Sequence, residues 1–179
     1  LGPEHIRQIL SRRTTAPFQN IQEVRELGIP TNRLYVGMNS MWTMRATARL
    51  KRPDGSWQFD YTVFDRYVEF AMSCGISKQI NCYSMLTWSG SLEYTDAATG
   101  DTRFAMSEPG TPSYADYWGP FLKDFERHLE AKGWLERTRI GVDEAPAAMM
   151  QAMMEVLRAN APRLKAALAG NQTSSHYTG

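Results

Sequence analysis

The stretch Thr138-Arg139-Ile140-Gly141-Val142-Asp143-Glu144-Ala145-Pro146 decides the fold. Val142 and Ile140 are strand formers, and alternation through Thr138 fits a short β-strand. Pro146 suits the first turn of a helix and holds Ala145 in an extended conformation. Asp143 and Glu144 are thereby expected at the carboxyl end of a strand, just before a helix begins. In parallel α/β folds that end is where catalytic groups are presented. Acids before a helix also favour its dipole without doing chemistry, so spacing alone leaves both roles open.

Working outward, the same alternation of strand and helix recurs. Leu34 to Met38 reads as a buried strand, and residues 43–51 as extended chain. Pro53-Asp54-Gly55 is a turn, since Pro fixes φ and Gly permits positive φ. Trp57, Phe59 and Tyr61 alternate after it, so Trp57 either walls a groove or packs a hairpin. Residues 61–73 form an amphipathic helix with Phe64, Tyr67, Val68 and Ala71 on one stripe, and Gly75 is its expected stop. Ile76 to Cys82 is the next strand. A long connection, 84–112, follows; at that length it is either functional or an excursion with strands of its own. Residues 113–132 form a second long helix, with Ser113 as the expected N-cap, an apolar face of Phe121, Phe125 and Leu129, and Gly133 as its end. A third helix over 146–160 carries Met149, Met150, Met153 and Met154, a spacing that suits core filling. Leu164 to Leu168 is the last strand. Before all of these, residues 4–13 and 18–28 read as short helices.

Such an order implies parallel strands with right-handed crossovers. The expected fold class is α/β: a (β/α)8 TIM-like barrel of which this chain covers roughly half. The expected segments are a helical part over 1–33, the partial barrel over 34–171 and a polar tail over 172–179. The alternative, a small open sheet, is disfavoured by the stop just after a strand. The chain opens on Leu1-Gly2-Pro3 rather than on a leader or an initiator Met, so it reads as processed or partly observed.

Composition narrows the chemistry. The 179 residues are 42% hydrophobic with a formal net charge of +1, enough for one packed domain and no electrostatic case for nucleic acid. No apolar run is long enough to span a bilayer. Cys74 and Cys82 lack metal-like spacing and read as small buried thiols. No Gly-rich phosphate loop, metal-ligand cluster or Ser-His-Asp pattern is visible, so neither metal nor cofactor is expected.

Two carboxylates at one strand end can divide labour if their environments differ: one stays ionised, and the other is desolvated and donates a proton. Asn81, Tyr83, Ser84 and Trp88 follow the preceding strand. They combine amide, hydroxyl and aromatic groups of the kind that suit a sugar, or they simply pack a loop. His128 lies inside the second long helix and reads as structural. Asn171, His176 and Tyr177 follow the last strand, at the same rim.

Several runs resemble one family. They are Asp54-Gly55-Ser56-Trp57-Gln58-Phe59-Asp60-Tyr61-Thr62-Val63-Phe64-Asp65, then Gly75-Ile76 with Gln79-Ile80-Asn81-Cys82-Tyr83-Ser84-Met85. Trp118-Gly119-Pro120, Leu122-Lys123-Asp124-Phe125, His128-Leu129, Lys132-Gly133-Trp134, Val142-Asp143-Glu144 and Leu168-Ala169-Gly170-Asn171 continue the series. In order and spacing they are similar to the catalytic domain of glycoside hydrolase family 123, over about residues 54–171. The resemblance implies a β-N-acetylgalactosaminidase that acts on glycans with retention and substrate assistance. It implies that Asp143 orients the substrate's acetamido group and that Glu144 is the acid/base. It implies sugar contacts from Asn81, Tyr83 and Trp88; Asn171 and His176 are expected at the same rim from their position after the last strand. It also implies a secreted, periplasmic or cell-surface bacterial protein.

Overall fold

The computed structural model describes residues 35–38 as backbone, and residues 47–73, 77–87 and 90–168 in full. The helices expected over 4–13 and 18–28 lie outside the described residues, as do Gly75 and Cys74.

Four parallel strands form one sheet: β1 (Tyr35–Met38), β4 (Gln79–Tyr83), β7 (Thr138–Val142) and β8 (Lys165–Leu168), in that order. The register pairs Val36 with Ile80, Cys82 with Ile140, and Ile140 with Ala166. The helices that join these strands are α1 (Thr62–Ser73), α2 (Pro112–Ala131) and α3 (Ala147–Asn160). The fold is thus α/β with a parallel sheet, as the alternation requires.

A second sheet was not foreseen. β2 (Ala48–Lys51) and β3 (Trp57–Asp60) form a hairpin, turned at Gly55 with φ of 83°. Its partner is the hairpin of β5 (Ser91–Asp96) and β6 (Thr102–Met106), which occupies the long connection after β4. β2 and β5 join the two in parallel, giving the order β3-β2-β5-β6. Trp57 therefore packs a hairpin: its ring meets Tyr94 and Tyr117 edge-on, with centroids 5.6 and 5.5 Å apart.

The core lies between α2 and both sheets. α2 buries Tyr114, Tyr117, Trp118, Phe121, Leu122, Phe125 and Leu129, a stripe at three- and four-residue steps. Each such side chain contributes about 1.5–3 kcal/mol by leaving water. Phe125 is fully buried, with Phe64 of α1 edge-on at 5.3 Å and Phe121 stacked at 5.1 Å. Met150 and Met153 of α3 are buried in the same cluster, the core role expected of the methionines. Gly119 lets α3 come close: a Cβ there would stand 3.0 Å from Asn160 Oδ1.

Two boundaries differ from expectation. Thr111 rather than Ser113 caps α2, with its hydroxyl accepting the Tyr114 amide. Pro112 takes the first helical position, where its missing N–H costs nothing, and so moves the cap forward. Pro146 caps α3 instead of lying in its first turn, and the helix begins at Ala147. A 3-10 turn, Leu135–Arg137, leads into β7 and was not expected.

Candidate active site

Alternation and register together decide which side chains share a face. Ile80, Cys82, Thr138, Ile140 and Val142 are buried on the core side of the parallel sheet. Asn81 and Tyr83 of β4 therefore project to the other face. In-register pairing sets Tyr83 opposite Gly141. Asp143 is the second residue after Gly141, just past the end of β7.

Tyr83 is the clearest member of this face. Its ring lies across Gly141, so that a Cβ built on residue 141 would stand 2.7 Å from two ring carbons. Only glycine leaves room for the ring there. Partial burial raises the Tyr83 phenol above its ordinary pKa, and the negative charge of Asp143 adds to the rise. The phenol thus stands within the field of Asp143. Asn81, half-buried, uses its side-chain oxygen to accept Gln79 Nε2 at 2.6 Å. That leaves the Asn81 amide N–H groups to face whatever lies above the sheet.

Asp143 and Glu144 sit just beyond β7, and both are exposed. Asp143 Oδ1 accepts the Glu144 backbone N–H at 3.0 Å, which turns the chain between strand and helix. The described residues do not bury either carboxylate. A small cavity of about 10 Å³ lies between the end of β4 and α2, lined by Cys82, Tyr83, Ser84, Met85, Trp118 and Phe121 among others. It is apolar, and neither acid lines it.

The segment after β4 is pinned from α2. Tyr114, buried, donates its hydroxyl to the Met85 carbonyl at 3.0 Å. Ser84 is buried and its hydroxyl accepts the Leu86 amide at 3.1 Å, so it serves the local turn. Trp88, Asn171 and His176, expected as sugar contacts, lie outside the described residues. His128 bridges helices: its Nε2 is 2.6 Å from Asp65 Oδ1, and its ring stacks on Tyr61 at 4.1 Å. Two contributors escaped the sequence reading. Gln79 is two residues before Asn81, and Gly141 is the small residue in register with Tyr83. Period-two spacing pointed to Gln79, but only the strand register points to Gly141.

Adjacent carboxylates at a strand exit, a phenol within the field of one of them and a fixed amide make up the polar groups at this end of the sheet. Comparison with known proteins gives the family. Residues 18–178 match the family described as glycoside hydrolase 123, catalytic domain. The chain belongs to glycoside hydrolase family 123. No curated protein matches it by sequence. Among solved structures, it is similar to a family 123 glycoside hydrolase from Clostridium perfringens, reported in a study of glycolipid glycan hydrolysis. The TM-score is 0.68 at 18% identity, with 96% of this chain and 35% of that chain covered. The likeness is one of fold. Among the described residues, no helix is long and apolar enough to cross a membrane.

Proposed function

We propose that this chain supplies the catalytic strand ends of an enzyme that releases terminal β-linked N-acetylgalactosamine from glycans. The parallel sheet would be part of a (β/α)8 barrel, running from about residue 34 to 171, with a helical segment before it and a polar tail after it. The observation that carries the reading is the Asp143–Glu144 pair at the exit of β7, with Tyr83 held over Gly141 in the field of Asp143.

In this reading the reaction is retaining and needs no protein nucleophile. The substrate's own acetamido oxygen attacks the anomeric carbon, and the glycosidic C–O bond breaks. Such substrate-assisted routes depart from the usual two-carboxylate scheme. Asp143, ionised, accepts the acetamido N–H and balances the positive charge of the oxazolinium-like intermediate. Glu144 gives its proton to the leaving oxygen and then takes one from the attacking water. The barrel's remaining strands and the bound glycan itself would exclude water from around Glu144. Asn81 and Tyr83 would hold the sugar and its acetamide, with Trp88, Asn171 and His176 at the rim.

Exposure of both acids favours a second reading, a carbohydrate-binding fragment without turnover. A chromogenic β-N-acetylgalactosaminide separates them. Hydrolysis by the protein that a thiazoline mimic of the intermediate inhibits supports the first reading. Calorimetric binding of N-acetylgalactosamine without hydrolysis supports the second. A fluoro-sugar that traps a covalent Asp or Glu adduct would contradict substrate assistance.

A further inference from the structure

Two tyrosines on one face of α2 hold the long connection that leaves β4. Tyr114 is buried and donates its hydroxyl to the Met85 carbonyl at 3.0 Å. Tyr117 is buried and donates its hydroxyl to the Glu93 carbonyl at 2.7 Å. Residues three positions apart share a helix face. The same face therefore grips the connection just after β4 and again within β5.

The two grips differ in what they hold. Tyr83 is the last residue of β4, and it pairs with Gly141 of β7. Beyond it the chain leaves the sheet, and only Ser84 separates it from Met85. The Ser84 hydroxyl serves the local turn by accepting the Leu86 amide at 3.1 Å. Ser84 and Met85 are both buried. Trp118 and Phe121 of α2 line the same small cavity as Tyr83, Ser84 and Met85. The direction in which the chain leaves Tyr83 is thus set by α2, and the Tyr114 hydroxyl is the polar tie in that contact. A buried carbonyl that loses its donor pays the full desolvation penalty, so the tie is hard to replace. Glu93, by contrast, is already held by its pairing with Phe104 of β6. Tyr117 ties down a strand that its own ladder fixes.

We propose that Tyr114 is a positioning residue of the candidate active site. Through the Met85 carbonyl it holds the Tyr83 ring over Gly141, where a Cβ would stand 2.7 Å from the ring. Tyr117 anchors the β5–β6 hairpin and leaves Tyr83 alone. The consequence for turnover rests on the glycosidase reading above; the hold on the ring does not.

The test compares Tyr114→Phe with Tyr117→Phe. Each removes one oxygen and keeps the buried ring, so both are expected to fold with a lowered thermal midpoint. Tyr117→Phe is the harsher control, because that ring also carries the Arg49 guanidinium, whose carbon lies 4.7 Å from its centroid. With tyrosines ¹³C-labelled at Cζ, the Tyr83 resonance is identified by its loss in Tyr83→Phe. It is expected to shift in Tyr114→Phe and to stay in place in Tyr117→Phe. On a β-N-acetylgalactosaminide, kcat/KM is expected to fall about fivefold in Tyr114→Phe, the worth of one hydrogen bond, and to hold in Tyr117→Phe. In a Tyr83→Ala background, Tyr114→Phe is expected to have no further effect, because its action runs through that ring. A Tyr83 resonance unmoved by Tyr114→Phe, or moved as far by Tyr117→Phe, overturns the proposal. So does a full fivefold loss from Tyr114→Phe when Tyr83 is already alanine. A wild type without hydrolysis removes the glycosidase reading and leaves the resonance to decide this one.

Discussion

The Tyr83 ring and the Gly141 backbone are in direct contact: a single carbon added at residue 141 would lie 2.7 Å from the ring. The two residues are in-register partners on adjacent parallel strands. Gly141→Ala must therefore move the ring or part the strands. Overpacking of this kind costs about 1–3 kcal/mol, readable as a lower urea midpoint. Because the phenol is displaced with the ring, kcat/KM on a β-N-acetylgalactosaminide is expected to fall with it. Unchanged stability and activity would mean that the ring contact is unimportant.

Gln79 is expected to act through Asn81. Its 2.6 Å hydrogen bond fixes which way the Asn81 amide faces. Gln79→Ala removes the bond and lets the amide turn. A loss of about 1 kcal/mol in sugar binding corresponds to a rise in KM of about fivefold with kcat retained. A fall in kcat alone would place Gln79 in another role.

Cys82 tests the packing of β4 against the core. It is 1% exposed, and burial pushes its thiol up to about 12. The thiolate is the reactive form. In a Cys74→Ser background, the folded protein is therefore expected to resist thiol reagents at mildly alkaline pH and to react at once in denaturant. Rapid labelling of the folded protein would show that β4 opens readily.

Arg163 ties the chain before β8 to α2 through Glu126 and Glu130. Its hydrogen bond holds the Glu130 carboxyl below its usual pKa. A depressed folded-state pKa contributes stability above the unfolded value, and that contribution is lost as pH falls through the folded one. Arg163→Met is expected to lower the thermal midpoint modestly at neutral pH, because the pair is exposed. The gap between variant and wild type should close below about pH 4, under the ordinary glutamate value. A gap that widens in acid would reverse this assignment.

The parallel sheet and its helices were legible because each has a local signature. The Phe121–Phe125–Leu129 stripe, the turn at Gly55 and the β7 run before Asp143 all lie within a few residues of chain. The second sheet was not legible. It pairs Leu50 with Thr95, 45 positions apart, and no short-range pattern records that. The cap of α2 was misplaced because Thr111 and Ser113 are both hydroxyl residues flanking Pro112, and only the proline's preference for the first helical position separates them. The acidic pair was visible in the sequence, but its exposure was not, since burial depends on what packs above the sheet. Gly141 needed the register, which sets it opposite Tyr83, whereas Gln79 needed only the period-two spacing from Asn81.

The most direct test is kcat/KM of Glu144→Gln in the protein, measured against wild type on a β-N-acetylgalactosaminide with a poor leaving group. Removing a general acid is expected to lower it by about 10²–10⁴-fold, with the thermal midpoint unchanged because Glu144 is exposed. Wild-type hydrolysis that Glu144→Gln retains in full would contradict the assignment of the β7 exit as the catalytic centre.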